Sequence, residues 1–143
     1  MNSSTLVQDI ISGSLAAVLG ALLLAGLAWL AGPLRWWAQN RAMHKLIGGG
    51  RRFRFVFNPD TQASKELTFL PDGSIGEGKN NQESSWRIRR GRVEIFAADG
   101  KVYSRFRHDR GSGLLRHTND PDLRSIHGQY LQPKLVKVAP VAA

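Results

Sequence analysis

The segment Ser85-Trp-Arg-Ile-Arg-Arg-Gly-Arg-Val-Glu-Ile-Phe-Ala-Ala-Asp-Gly-Lys-Val-Tyr-Ser-Arg-Phe106 decides how the C-terminal part of this 143-residue chain folds. Apolar residues alternate with polar ones over three short runs, and two turn signals, Arg90-Gly91 and Asp99-Gly100, separate them. A two-residue turn at the first signal pairs Trp86 with Ile95, Arg87 with Glu94 and Ile88 with Val93. A turn at the second pairs Ile95 with Ser104, Glu94 with Arg105 and Val93 with Phe106. The two registers agree independently. Trp86, Ile88, Val93, Ile95, Val102 and Phe106 fall on one face, and Arg87, Glu94 and Arg105 form a cross-strand ladder on the other, beside Phe96 and Tyr103.

The same period of two extends outward. RRFRFVF from Arg51, ELTFL and SIGEG around the turn Pro71-Asp72-Gly73, GLLRHT and SIHGQYL bring the strand candidates to eight, with no helical period between them. This predicts a small antiparallel meander β-barrel over residues 51–135, lipocalin- or calycin-like, or a sandwich of the same strands. The hairpin after Phe106 has two readings. A turn at Arg110-Gly111 sets Phe106 opposite Leu115 and Ser104 opposite His117, turning His117 inward. A loop from Asp109 to Gly113 sets Phe106 opposite Arg116 and brings an arginine inside, so the first is preferred. Eight short strands enclose an interior filled by side chains or just wide enough for one small ligand. Ser104, His117 and Gln129 are the polar residues expected near such a ligand, with Arg116 joining them under the second register.

Toward the N-terminus the pattern changes completely. IISGSLAAVLGALLLAGLAWLAGPL, Ile10 to Leu34, holds 25 residues without a charge, eleven of them Leu, Ile or Val. A helix of that length rises about 37 Å, enough to cross a ~30 Å hydrocarbon core with some tilt. The strands cannot supply a core large enough to surround it, so a transmembrane helix over 10–32 is expected, preceded by a short extracytoplasmic segment, 1–9. The N-terminal flank lacks the Lys or Arg of a cleaved signal peptide, and the apolar run is too long for one. Pro33 is expected to kink or end the span. Residues 34–47 then read as a short helix at the headgroups, and Gly48-Gly49-Gly50 as a linker, giving a juxtamembrane unit over 33–50. Residues 136–143 read as a flexible tail.

Charge orients the chain. The net charge is +9, and Arg35, Arg41, Lys45, Arg51, Arg52 and Arg54 supply most of it with no acid between 35 and 54. The positive-inside bias places the N-terminus outside and the β domain in the cytoplasm, at a bacterial inner membrane, where the basic residues form a surface for anionic lipid or another anionic partner. Gly13, Ala17, Ala21 and Ala25 recur every four residues and permit close helix approach, hence self-association of the spans. Arg87, Arg89, Arg90, Arg92, Arg105, Arg107 and Arg110 crowd one hairpin region, but Glu94 interrupts them, and a nucleic-acid surface is not expected.

No catalytic set emerges. The chain has no cysteine, and His44, His108, His117 and His127 stand at no ligand spacing, so no metal or cofactor is expected. No serine sits in a nucleophile elbow, and Asp72 and Glu94 have structural places in a turn and a ladder. A membrane anchor followed by a small cytoplasmic meander barrel, with W-x-I-x-x-G-x-V-x-I from Trp86 to Ile95, resembles the membrane-anchored, lipocalin-like effectors of bacterial cyclic-oligonucleotide anti-phage signalling. The resemblance implies binding of a cyclic nucleotide and oligomerisation in the membrane. It covers architecture only, and this chain has one span where those effectors typically have two. The expectation is a non-catalytic, membrane-anchored binding module, with an accessory subunit of a larger membrane complex as the alternative.

Overall fold

A computed structural model of the chain describes residues 3–134, with side-chain surroundings from Val18 onward apart from Leu30. The predicted tail, 136–143, lies outside the described residues. One helix, α1 (Ser3–Ile47), precedes seven strands: β1 (Arg52–Asn58), β2 (Ala63–Thr68), β3 (Ser85–Arg89), β4 (Arg92–Phe96), β5 (Val102–Asp109), β6 (Leu114–His117) and β7 (Tyr130–Pro133). The chain divides into two compact units between Trp37 and Ala38.

Pro33 lies inside α1 and does not end it, so the expected separate interfacial helix is the continuation of the apolar one. Nor is Gly48–Gly50 a free linker. Met43 and Ile47, on the last turns of α1, are buried among the strand side chains, with Leu46 packed against the same cluster. The Gly48 N–H donates to the His44 carbonyl at 2.8 Å, and Gly49 and Gly50 both take positive φ, so the chain turns at once into β1.

The strands form one antiparallel sheet in the order β2-β1-β7-β6-β5-β4-β3. It is curled: Phe69, just past β2, meets Trp86 of β3 at 5.4 Å between ring centroids, although β2 and β3 are the two edges. Phe53, Phe55, Phe69 and Phe106 fill the interior with edge-to-face contacts, and Leu67, Ile75, Val93, Ile95, Leu115 and Leu131 pack around them.

The central register is the predicted one, with Trp86 opposite Ile95, Arg87 opposite Glu94, Glu94 opposite Arg105 and Val93 opposite Phe106. A register shift falls between Ile95 and Phe96, so that Phe96 meets Val102. Two expectations are corrected. The eighth strand does not form: around Ile75 there are only single bridges, Phe69 to Ile75 and Ser74 to Ser85, so the sheet is a seven-stranded half-barrel. Gly78 explains why the pairing stops. It sits at φ +80°, and a Cβ there would come within 2.1 Å of the Glu66 carbonyl oxygen.

The second correction concerns the hairpin after Phe106. Phe106 pairs with His117, Arg107 with Arg116 and His108 with Leu115, around a loop of Arg110 to Gly113, a register that matches neither reading. It differs from the preferred reading by two residues. An even slip preserves facing, so Leu115 and His117 are still buried and Arg116 is still outside.

Ile47→Ala should lower the unfolding free energy of the β unit by about 3 kcal/mol through lost burial and a cavity. Exposed Gln132→Ala should change it by less than about 0.5 kcal/mol. Denaturant titration of the full chain in mild detergent measures both.

Candidate anion-binding cavity

Three elements of the β unit meet around the last turns of α1. The Arg90-Gly91 turn between β3 and β4 has φ of +51° and +69°, the pair of left-handed residues that a tight hairpin of this twist requires. Its Gly91 N–H donates to Asn40 Oδ1 at 2.6 Å, and a Cβ on Gly91 would lie 2.8 Å from Gln39 Cβ. The absence of a side chain thus lets the turn sit directly on the helix. The end of β5 and the loop after it add Arg107, His108 and Arg110.

These elements enclose a cavity of about 530 Å³. Gln39, Ala42, Met43 and Leu46 form its helix wall, and Arg90, Arg92, Arg107, His108 and Arg110 face them. No carboxylate lines it. A smaller cavity of about 220 Å³ adjoins through Arg90 and Arg92 and is lined also by Arg89, Glu94 and Arg105.

Ion pairing separates structural arginines from available ones. Glu94, 4 % exposed, accepts from Arg87 at 2.7 Å and from Arg105 at 3.0 Å. Arg105 also donates to Asp120 at 2.6 Å and pairs with Asp122 at 3.3 Å. Burial works against its charge, yet the hydrogen bonds to Asp120, Asp122 and Glu94 outweigh it and push the guanidinium above its ordinary value. Arg87 further stacks over the Phe96 ring at 4.7 Å. Arg52 lies 3.8 Å from Glu66 and 3.6 Å from Glu77, Arg54 donates to Ser64, and Arg51 donates to the Leu46 carbonyl. Lys45, Arg89, Arg107 and Arg110 are exposed and make no ion pair among the described residues. Arg35 and Arg41 are exposed on α1. Arg92 has one distant partner, Asp120 at 3.8 Å.

The residues predicted to surround an interior ligand lie elsewhere. Ser104, His117 and Gln129 are buried, and none lines the arginine cavity. Ser104 Oγ and Gln129 Oε1 have no hydrogen-bond partner among the described residues, whereas Gln129 Nε2 donates to the Phe57 carbonyl at 3.0 Å. The His117 ring bridges Ser125 Oγ at 2.7 Å and Asn119 Oδ1 at 2.8 Å. This has the connectivity of nucleophile, base and orienting group. Ser125 is itself buried and lines neither arginine cavity, and Asn119 Oδ1 also accepts from the Gly128 N–H, so the bridge fastens the 119–128 loop to β6.

Arg116 points outward and pairs with Asp109 at 2.9 Å. The Ser112 hydroxyl, then Arg116 and the Gly111 N–H, hold the Asp109 carboxyl down at about 2. Ala21 and Ala25 are exposed on α1, while the surroundings of Gly13 and Ala17 lie outside the described residues.

Sequence reasoning found the crowding of arginines but missed the helix wall and His108. The available signal was Met43, Leu46 and Ile47 at helical spacing within LRWWAQNRAMHKLI, an apolar stripe aimed at the sheet. Comparison of the chain with protein-family models, curated proteins and solved structures found no match.

Arg105→Ala should cost about 3 to 5 kcal/mol, because it strands the buried Glu94 carboxylate; thermal or denaturant unfolding reads the loss. Burial, reinforced by nearby His127, lowers the His117 pKa below its ordinary 6.5, against the opposing hydrogen bond to Asn119. The unfolded chain then binds this proton more readily, so the His117 contribution to stability is complete above about pH 6.5 and is lost as the pH falls below it. The unfolding midpoint should therefore drop between pH 7 and 5, with a smaller drop in His117→Gln.

Proposed function

We propose that this protein is a single-pass, membrane-anchored, non-catalytic binding module for an anionic ligand. Its N-terminus lies outside and its β unit in the cytoplasm, at a bacterial inner membrane. The observation that carries this reading is the uncovered face of α1: Leu22, Leu23 and Leu24 are 64 %, 68 % and 70 % exposed, with no protein over them. Among the described residues α1 is the one helix long and apolar enough to cross a bilayer. Its basic continuation, including Arg35, Arg41 and Lys45, supports the orientation. Gln39, on the helix wall of the arginine cavity, follows Leu34 by five positions in the chain.

In its sharper form the module senses an anionic nucleotide and clusters its spans through Gly13, Ala17, Ala21 and Ala25. This would make it an oligomerising effector of the kind its architecture resembles, acting in anti-phage defence through a lipocalin-like barrel. The alternative, an accessory subunit, draws on the same uncovered helix face. It predicts stable capture of other membrane proteins in mild detergent without self-association.

The native chain lacks cysteine, so single cysteines at Ser3→Cys and Ser112→Cys report topology cleanly. A membrane-impermeant maleimide should label position 3 in intact spheroplasts and position 112 only after lysis. Labelling of position 112 from outside, or a chain that stays soluble without detergent, defeats the proposal.

A further inference from the structure

We infer that the cavity between the end of α1 and the β3–β4 and β5–β6 hairpins is a phosphate site, taking a phosphate or pyrophosphate group borne by a lipid headgroup or by a free anion. The inference deepens the binding-module reading and rests on it only for the source of the phosphate. Four guanidinium groups, those of Arg90, Arg92, Arg107 and Arg110, line one concavity that contains no carboxylate. Several exposed arginines of the β unit lie beside acids, Arg116 with Asp109, Arg124 with Asp99 and Arg52 with Glu66, whereas Arg51 and Arg54 donate to the Leu46 carbonyl and to Ser64, and Arg89, on the adjoining smaller cavity, pairs with no acid among the described residues. Arg107 and Arg110 take none among the described residues, although mutual repulsion would favour pairing them or turning them apart.

The helix wall strengthens the case. Met43 and Leu46 supply an apolar floor, which lowers the local dielectric and raises the value of each charge-assisted hydrogen bond. The turn carrying Arg90 is held by the Asn40–Gly91 hydrogen bond, so its approach to the cavity is set before any ligand arrives. The volume, about 530 Å³, suits a diphosphate or a phosphate with an attached glycerol or sugar better than a bare carboxylate. Planar forks converging from two hairpins also match the tetrahedral oxygens and double charge of a phosphate. A concave site with an apolar floor differs from the flat basic stripe with stacking aromatics that a single-stranded nucleic acid requires.

The test uses the full chain in phosphatidylcholine nanodiscs, titrated calorimetrically with inorganic pyrophosphate at low salt. Saturable binding is expected, weakened at least about tenfold by Arg107→Gln or Arg110→Gln and unchanged by Lys101→Gln, with unfolding midpoints matching wild type because Arg107 and Arg110 are exposed and make no ion pair among the described residues. Phosphatidic acid in the disc then assigns the source: a roughly tenfold loss of pyrophosphate affinity means the headgroup occupies the cavity, and no change means a soluble anion does. Absence of saturable binding overturns the inference, as does an equal loss in Lys101→Gln, which would mark diffuse surface charge. If the chain proves soluble without detergent, the anchor fails, and the pyrophosphate titrations in solution still decide the cavity.

Discussion

Met43 and Ile47 belong at once to an apolar helix and to the interior of a β-sheet, and the placement of everything charged in this protein follows from that shared burial. Full burial of a side chain of this size is worth about 1.5 to 3 kcal/mol, so the two residues hold the last turns of α1 with a force comparable to the stability of a small domain. Gly48, Gly49 and Gly50 add no slack. A Cβ on Gly48 would meet the His44 carbonyl oxygen at 2.5 Å, and the positive φ angles of the next two reverse the chain directly. The helix end is therefore a wall of the β unit, and Ala42, Met43 and Leu46 can line a cavity with residues some fifty positions later in the chain.

Arginine plays opposite parts a few ångströms apart. In the ladder it neutralises: Glu94 is buried, which is tolerable only because Arg87 and Arg105 reach it and Arg105 is in turn held by Asp120 and Asp122. Thr118 donates to Asp120 as well, so the loop after β6 is fastened over the outer face of β4 and β5. In the cavity arginine is left in excess. The contrast lies in which acids the loops deliver. The 118–125 loop carries two acids and lies over the ladder, whereas Asp109 beside the cavity is already engaged by Ser112 and Arg116.

What the sequence made legible was local. The two-residue turn at Arg90-Gly91 sets β3 on β4 as expected, whereas the connection from β4 to β5 is one residue longer than the expected turn, and a bulge between Ile95 and Phe96 absorbs that residue so that the Val93–Phe106 and Ile95–Ser104 pairs still hold. Parity placed Leu115 and His117 inward although the loop length was misjudged. Longer-range features were not legible. SIGEG alternates well enough to pass for a strand, and only the packing of Gly78 against Glu66 shows why regular pairing stops. The partners of Arg105 come from a loop fifteen to seventeen residues away, a distance no periodicity reports. The arginine crowding was visible, but the helix wall was read as lying on lipid, since an apolar stripe ending in basic residues looks the same whether a bilayer or a sheet covers it.

The two ends of the curled sheet differ in a way that bears on function. At the end away from α1, Lys65 and the buried Glu83 pair at 2.7 Å, and the cavity there, about 450 Å³, is lined by both members of the pair together with Asn80, Gln82 and Tyr103. Burial, with the Glu83 carboxylate adding to it, pushes the Tyr103 hydroxyl above its ordinary value, and Arg124, which also lines this cavity, pairs with Asp99 at 3.0 Å, so this end offers neutral hydrogen-bonding groups and cations that each have an acid partner. At the α1 end four arginines line a concavity with no carboxylate among its described lining residues, an arrangement that focuses field lines and draws anions inward. A ligand there would touch the helix wall and both hairpins together, and any anion that binds this assembled wall better than a loosened one must stabilise the joint by the difference in its affinities. Occupancy and the attachment of α1 to the sheet are thus linked by thermodynamics, with no need for a moving part between them.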